Sequence, residues 1–170
     1  MKRIDKRLPG LVVLVALAAA LVAGFVPGTA KEPTSARVVR VVDGDTIVVE
    51  SSEGTERVRY IGIDTPESVK PNTPVQCYAK TASHLNEALV AGHTVTLTYG
   101  PEKRDRYGRL LAYVATEDGV DVNATLVERG AAKTLEIKPN TQRASKYGEL
   151  ETKARNMQAG LWAVCADAHN

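Results

Sequence analysis

Three short segments of the sequence carry the side chains that could do chemistry. Arg59, Asp64 and Glu67 lie close together at the end of an apolar run, and two further charged segments span residues 43–46 and 105–109. Charges placed beside apolar surface are costly unless they are paired or hold a metal. Together the segments supply carboxylate oxygens for a hard cation, one spare carboxylate and two guanidinium groups. This set suits metal-assisted attack on a phosphodiester.

Each of these segments also has an ordinary structural explanation. Taken alone, a tight turn explains Asp43-Gly44-Asp45-Thr46. A stronger signal is Asp64-Thr65-Pro66-Glu67, because its second carboxylate follows where the chain would leave a strand. An arginine fork can hold two phosphate oxygens at once, and Tyr107 beside Arg109 offers a ring against which a base or sugar can pack. The three signals share one chemistry and are therefore stronger together than singly.

The elements that must position these side chains are mostly strands in the first half of the chain. Runs of β-branched residues and an Asp-Gly turn predict a three-stranded meander, and helical spacing, two more strands and further helices follow. The predicted strands span residues 37–42, 46–50, 56–63, 94–99 and 110–115, and the predicted helices span residues 77–91, 123–129 and 144–161. This order predicts an α+β fold: a five-stranded OB-fold β-barrel with about three helices. The apolar stripe of the last helix predicts that Tyr147 and Met157 both pack in the core.

The chain begins with a segment typical of an export leader. Four basic residues precede an apolar run over residues 11–26, which is 16 positions and shorter than the roughly 20 that a spanning helix needs. We interpret residues 1–30 as a signal peptide or, alternatively, as a retained N-terminal membrane anchor. A linker at 31–36, the functional domain at 37–165 and a tail at 166–170 complete the predicted organisation. Both alternatives place the domain outside the cytoplasm, either secreted or held at the outer face of the cell membrane.

Net charge does not by itself predict a nucleic-acid partner. The chain has 22 Lys and Arg against 20 Asp and Glu, and residues 1–30 contain four of the bases and one of the acids. The remainder therefore has 18 bases against 19 acids and a net charge of −1. Any attraction for phosphate must be local. The dense basic run is Lys103, Arg104, Arg106 and Arg109, and such a run is equally typical of a solvated loop.

Cys77 and Cys165 are the only cysteines in the sequence. In an exported chain such a pair most often forms a disulfide, which here would join the middle of the chain to its C-terminal end. In the chain-entropy treatment a bridge of this span stabilises the fold by about 4–5 kcal/mol. Two buried free thiols are the alternative. The histidines show no ligand spacing to either cysteine, so a zinc site is not indicated.

The ordered motifs resemble those of the staphylococcal nuclease (thermonuclease) family over residues 38–162, essentially the whole predicted domain. The resemblance depends on Val42-Asp43-Gly44-Asp45-Thr46, Arg59 with Asp64-Thr65-Pro66-Glu67, residues 105–113 and the Leu126-Val127-x-x-Gly130-x-Ala132-Lys133 segment.

The resemblance implies a role for each matched residue. Asp45, Asp64 and the carbonyl of Thr65 match the family's Ca²⁺ ligands, and Glu67 matches its general base. Arg59 and Arg109 match its two phosphate-binding arginines. Arg106 and Tyr107, on the same turn as Arg109, are assigned to substrate binding. The implied activity is endonucleolytic cleavage of DNA and RNA that leaves 3′-phosphate ends.

One segment departs from the family's pattern. After Lys133 the family has tyrosines that line the nucleotide pocket, whereas residues 134–139 are one position shorter and contain no aromatic residue. Base stacking contributes about 1–3 kcal/mol per base. We therefore expect weaker nucleotide affinity or looser base preference than in relatives that keep the ring, and Glu136 is the position at which a tyrosine is expected to restore it.

A second class of function remains open on the sequence, namely a non-catalytic OB-fold module that binds single-stranded nucleic acid. Family members that bind without cutting generally lack some of the acidic and arginine positions, and this chain has all of them. We therefore expect an enzyme with DNA and RNA as partners, membrane contact only if the leader is retained, and a monomeric state.

Overall fold

A computed structural model describes residues 32–52, 54–68 and 74–165 of the chain. The strands are β1 (Thr34–Val41), β2 (Thr46–Ser51), β3 (Gly54–Tyr60), β4 (Ile63–Asp64), β5 (Thr94–Arg104), β6 (Leu110–Thr116) and β7 (Lys133–Thr134). The helices are α1 (Ala79–Val90), α2 (Val122–Glu128), α3 (Ala144–Asn156) and α4 (Leu161–Val164).

Five of the strands form a closed barrel in the order β1-β2-β3-β6-β5. The meander β1-β2-β3 is antiparallel, β3 pairs with β6 in parallel, and β1 closes the barrel against β5. The two short strands β4 and β7 pair separately, with Asp64 opposite Lys133. The predicted α+β fold with a five-stranded barrel is therefore confirmed. The described residues contain a fourth helix, α4, beyond the three predicted.

The core lies inside the barrel and beneath the helices. Alternate residues of the strands point inward, as the two-residue period of a strand requires. Ile47 and Val49 on β2, and Val95 and Leu97 on β5, are almost completely buried. Each such side chain contributes about 1.5–3 kcal/mol on burial. Because the buried core stabilises the barrel in this way, charged residues can be placed at the ends of its strands without loss of the fold.

The disulfide between Cys77 and Cys165 is present and joins the start of α1 to the end of α4. Gly160 precedes α4 with a φ of 58°, and a Cβ at this position would lie 2.4 Å from the carbonyl oxygen of Gly130. Only glycine allows this close approach, and the backbone of Leu161 then donates to the same carbonyl at 2.8 Å. The bridge and this contact hold α4 against the end of α2.

Two details of the C-terminal half differ from the sequence-based expectations. The predicted helix over residues 144–161 is divided, because α3 ends at Asn156 and the chain turns before α4. Tyr147 is buried as predicted, but Met157 is 70% exposed, so its predicted place in the core is wrong. A helical stripe shows which side is apolar but does not show where the helix ends.

The structure describes most of the predicted linker but not the predicted leader or tail. β1 begins at Thr34, so residues 34–36 pair with β5. The leader at 1–30 and the tail at 166–170 lie outside the described residues. Within the described part of the chain, no helix is both long and apolar enough to cross a membrane.

Asp121 connects α2 to α3. Its carboxylate accepts a hydrogen bond from the backbone N–H of Ala124 at the start of α2, and it lies 2.9 Å from both Arg143 and Lys146 of the α3 region. Burial alone would raise the pKa of Asp121, but the hydrogen bonds from Lys146 and Ala124 and the charge of Arg143 hold that pKa below its usual value.

Replacing Asp121 with asparagine is expected to lower the free energy of unfolding by about 1 kcal/mol at pH 7, because two partly exposed ion pairs are lost while a capping side chain is kept. A depressed folded-state pKa contributes stability that is present above the unfolded-state value of about 3.9 and is lost as pH falls through the folded-state pKa. The difference in the free energy of unfolding between the variant and the parent should therefore become smaller as the pH falls. Urea unfolding at pH 7 and at pH 3 measures this difference, and Glu149→Gln is the control at an exposed position. A difference that stays constant with pH would contradict this role.

Candidate active site

Arg59 lies near the end of β3, where Thr46 of β2 and Leu111 of β6 are its neighbours in register. Each of its three guanidinium nitrogens has at least one partner. Nε lies 3.1 Å from Asp45 Oδ1, and Nη2 donates to Asp64 Oδ1 at 2.7 Å. Nη1 donates to two backbone carbonyl oxygens of the turn that follows β3, each at 2.8 Å. Arg59 therefore holds the two acidic segments together as well as bringing positive charge to the site.

Asp45 joins the turn before β2 to the segment after β4. It is only 5% exposed, and its Oδ2 accepts hydrogen bonds from the backbone N–H of Thr65 at 2.8 Å and from its hydroxyl at 3.0 Å. Gly44 makes this contact possible, because a Cβ there would lie 2.7 Å from the Thr65 hydroxyl oxygen. The Asp-Gly-Asp order thus serves a close approach between two loops as well as a turn.

Negative charge accumulates around this contact. Burial and the neighbouring charge of Asp45 raise the pKa of Asp43 to about 6. Burial also raises the pKa of Asp64; the charges of Asp45 and Glu67 act in the same direction, and the charge and hydrogen bond of Arg59 oppose them. Three aspartates and a glutamate therefore share a small space. Such a surplus of oxygen donors is the environment that a hard divalent cation prefers.

Glu67 is placed by Gln76, a residue to which the sequence gave no role. The side-chain Oε1 of Gln76 accepts a hydrogen bond from the backbone N–H of Glu67 at 2.6 Å, and the backbone N–H of Gln76 donates to the Glu67 carbonyl at 3.0 Å. Cys77, with its disulfide, follows immediately. Only the three-dimensional structure shows this contact, since nothing in the local sequence pairs the two positions.

Arg109 is oriented by Asp105 within the turn between β5 and β6. Asp105 Oδ2 lies 2.7 Å from Arg109 Nε, and its Oδ1 accepts from the backbone N–H groups of Tyr107 and Arg109. Burial opposes ionisation of this carboxyl, but its hydrogen bonds from Arg109 and Tyr107 hold its pKa below the usual value. The sequence pattern of an aspartate opening a turn was the available signal for this positioning role.

The predicted metal, base and arginine positions line one cavity of about 80 Å³. They converge from the β1–β2 turn, β3, the segment after β4 and the start of β6. The lining comprises Asp43, Asp45, Thr46, Arg59, Asp64, Thr65, Pro66, Glu67 and Arg109. We call this space the catalytic cavity. Within residues 32–52, 54–68 and 74–165, no group of three or more His, Cys, Asp or Glu side chains is placed so that it could hold a metal ion.

A larger cavity of about 460 Å³ adjoins the catalytic cavity and shares Arg59 and Arg109 with it. We call it the base cavity. Arg106 and Tyr107 line it, and the Tyr107 ring is 68% exposed. The guanidinium carbons of Arg106 and Arg109 lie 4.8 and 5.6 Å from the centre of that ring. Both predicted substrate-binding residues are thus next to the catalytic cavity.

The far wall of the base cavity bears on one sequence-based expectation. Leu135 and Ile137 line the cavity, and Glu136 between them does not. The aliphatic surface of Leu135 and Ile137 therefore occupies this wall. The effect of a tyrosine at position 136 stays a prediction, and position 137, which lines the cavity, is an alternative place for that ring.

The sequence is similar to a known protein family and to several named nucleases. The family described as "Staphylococcal nuclease homologue" matches residues 57–164. A thermonuclease of Staphylococcus intermedius is 42% identical over 125 residues, which are 74% of this chain and 74% of the relative. A thermonuclease of Staphylococcus hyicus is 38% identical over 127 residues, 75% of each chain. Endonuclease YncB of Bacillus subtilis (strain 168) is 39% identical over 126 residues, 73% of this chain and 59% of the relative.

Proposed function

Because the chain belongs to the staphylococcal nuclease family and is a nuclease that hydrolyses phosphodiester bonds, we propose that it is a secreted, calcium-dependent endonuclease acting on DNA and RNA. The products are proposed to carry 3′-phosphate ends. The observation that carries the proposal is the convergence of Asp45, Arg59, Asp64, Glu67 and Arg109 on one catalytic cavity. This arrangement favours an enzyme over a module that only binds nucleic acid.

The donor set of the catalytic cavity fits Ca²⁺. Asp45, Asp64 and the carbonyl oxygen of Thr65 are hard oxygen ligands, and Ca²⁺ accepts six to eight such ligands, including water. Two carboxylates and one carbonyl leave the cation highly hydrated, so its affinity should lie in the range of about 10⁻⁴–10⁻³ M that is typical of extracellular sites. When bound, calcium supplies positive charge beside the scissile phosphate.

The protein side chains supply the remaining chemistry. Glu67 is proposed to accept a proton from the attacking water as the new P–O bond forms. As the water attacks, charge gathers on the phosphoryl oxygens, and fixed cations stabilise it without reorganisation. The bond from phosphorus to the 5′-oxygen of the next nucleotide breaks, and that oxygen takes up a proton from solvent, which leaves a 3′-phosphate and a 5′-hydroxyl. Arg109, oriented by Asp105, and Arg59, held between two aspartates, are the residues suited to stabilising the phosphoryl charge.

Substrate binding is proposed to involve the base cavity. A base or sugar would pack on the exposed ring of Tyr107 and on Leu135 and Ile137, with Arg106 close to the phosphates. Aliphatic side chains offer a base less stacking energy than a ring does. The proposal therefore includes weaker nucleotide binding than in relatives that keep tyrosines in this wall.

Replacing Ile137 with tyrosine is expected to tighten nucleotide binding by about fivefold or more, since base–aromatic stacking contributes about 1–3 kcal/mol. Titration of a fluorescent single-stranded oligonucleotide measures the change. Glu136→Tyr is the matched control, because that position does not line the base cavity. An equal gain at both positions would contradict the assignment of the wall.

Secretion is proposed from the leader-like sequence at residues 1–30, and the disulfide supports it because such bonds persist in oxidising compartments. Mass spectrometry of the exported chain would show whether the leader is removed or kept as an anchor. A monomeric state is part of the same proposal and is measured by light scattering.

The decisive experiment is cleavage of denatured DNA and of RNA by the purified exported protein, with calcium and with a chelator. Calcium-dependent cutting within the chains, with 3′-phosphate ends, is the expected result. A folded protein that binds these substrates in calcium but leaves them intact would overturn the proposed function.

A further inference from the structure

A third cavity of about 290 Å³ lies beside the catalytic cavity, and its lining includes Asp64, Thr65, Pro66 and Lys133. The first three of these residues also line the catalytic cavity. Among the described residues, the third cavity has no lining residue in common with the base cavity. The base cavity joins the catalytic cavity through Arg59 and Arg109 instead. The catalytic cavity therefore adjoins both of the other cavities, through different residues.

The arrangement of the three cavities is relevant to substrate binding, because a polynucleotide is a linear chain of phosphates. An enzyme that cuts within such a chain must accommodate nucleotides on both sides of the scissile phosphate. The base cavity can accept the nucleotide on one side only. The third cavity adjoins the catalytic cavity through Asp64, Thr65 and Pro66 instead, and it offers the space for a nucleotide on the other side.

Lys133 gives the third cavity a suitable charge. It lies opposite Asp64 in the β4–β7 pair, and its ammonium is 5.4 Å from the centre of the Trp162 ring. Among the described residues it makes no ion pair, whereas the Asp64 carboxylate is paired with Arg59 at 2.7 Å. An ammonium of this kind is a compact point charge that suits a phosphate.

The remaining wall of the third cavity combines the amide side chain of Gln76 with apolar surface. Leu161 and the disulfide between Cys77 and Cys165 supply the apolar part. Polar and apolar surface next to a cation matches a nucleotide, which presents a sugar and base on one side and a charged phosphate on the other.

We infer that the third cavity is a second nucleotide subsite, which binds the substrate on the side of the scissile phosphate opposite to the base cavity. Lys133 contacts the next phosphate along the chain in that direction. This inference rests on the proposed function, because it assigns the path of the same substrate through the same site.

The test uses the purified exported protein, the variant Lys133→Met, which keeps an apolar stem, and Lys133→Arg, which keeps the charge. The probes are single-stranded DNA of eight nucleotides and a dinucleoside monophosphate, which has no phosphate beyond the scissile one.

For the octamer, Lys133→Met should raise KM and Kd about fivefold to tenfold with little change in kcat. The dependence of log K on log salt should become shallower by about 0.7, as expected for one lost contact to a single strand. Lys133→Arg should restore binding, and the dinucleotide should be unaffected.

Lys153→Met is the matched control, because it makes the same change of charge at a residue that is paired with Glu128 and lines none of the three cavities. An equal loss with both probes, an unchanged salt dependence, or an equal effect of Lys153→Met would overturn the inference. Binding by fluorescence anisotropy separates this test from the proposed function. If the parent binds the octamer without cutting it, the function fails while the effect of probe length still reports on the subsite.

Discussion

Replacing Glu67 with glutamine is expected to lower kcat by about two to four orders of magnitude, the range that a positioned general base contributes. Glutamine keeps the size of the side chain but cannot accept the proton of the attacking water. The backbone of Glu67 remains hydrogen bonded to Gln76 on both sides, so the loop should keep its position. Single-turnover cleavage of denatured DNA in calcium measures the effect, and circular dichroism establishes that the variant is folded.

The control for this variant is Glu87→Gln on α1, which removes a carboxylate of the same type at an exposed position outside the catalytic cavity. Calcium affinity, followed by isothermal titration, should change little in Glu67→Gln, because the proposed ligands are other residues. Near-parent turnover with normal calcium dependence in Glu67→Gln would remove Glu67 from the mechanism.

Replacing Arg109 with alanine is expected to lower kcat by about two to three orders of magnitude, as removal of a preorganised charged donor does in other sites. Asp105 fixes Nε of Arg109, so the guanidinium meets the reacting phosphate without first being ordered. The loss should therefore appear mainly in kcat. Arg109→Lys should recover only part of it, because an ammonium keeps the charge but lacks the planar fork.

Arg104, the last residue of β5, provides a matched control for Arg109. Arg104→Ala removes an ion pair with Glu56 and a hydrogen bond to the Gly108 carbonyl in the turn that carries Arg109, both outside the catalytic cavity. It should leave kcat within about twofold of the parent, since exposed interactions of this kind contribute little. If Arg104→Ala and Arg109→Ala slowed cleavage equally, loss of local structure would explain both. The specific role of Arg109 would then be wrong.

The parts of the fold that depend on local sequence were predictable. The Asp43-Gly44 turn, the alternation in β5 and the break at Gly92 before that strand are all signals within a few residues, and the structure confirms the elements they indicate. The parallel pairing of β3 with β6 was not predictable in this way, because it joins Val58 to Leu110 and no short pattern encodes such a contact. The start of α4 likewise involves a close approach of Gly160 to Gly130, which no short pattern encodes.

The candidate site was also predictable in part. The residue types that the chemistry needs were recognisable in the sequence, and the structure brings Asp45, Arg59 and Glu67 into one cavity. Gln76, which holds Glu67, was missed, since its side chain accepts a hydrogen bond from a backbone N–H nine positions away in the chain. Asp105 differs, because it orients Arg109 within one local turn whose opening aspartate is a sequence signal. Reacting groups are therefore easier to identify from the sequence than the groups that orient them.

The closed barrel also determines when the protein can become active. Arg59 and Arg109 are carried by β3 and at the start of β6, strands that are distant in sequence and adjacent only after the barrel has closed. Closing such long loops costs entropy before the new contacts repay it, so pairings of this kind form slowly. A chain that has made only its first hairpins has both arginines but no space in which they meet a phosphate. During refolding, the return of cleavage should therefore lag behind the return of secondary structure and report completion of the barrel.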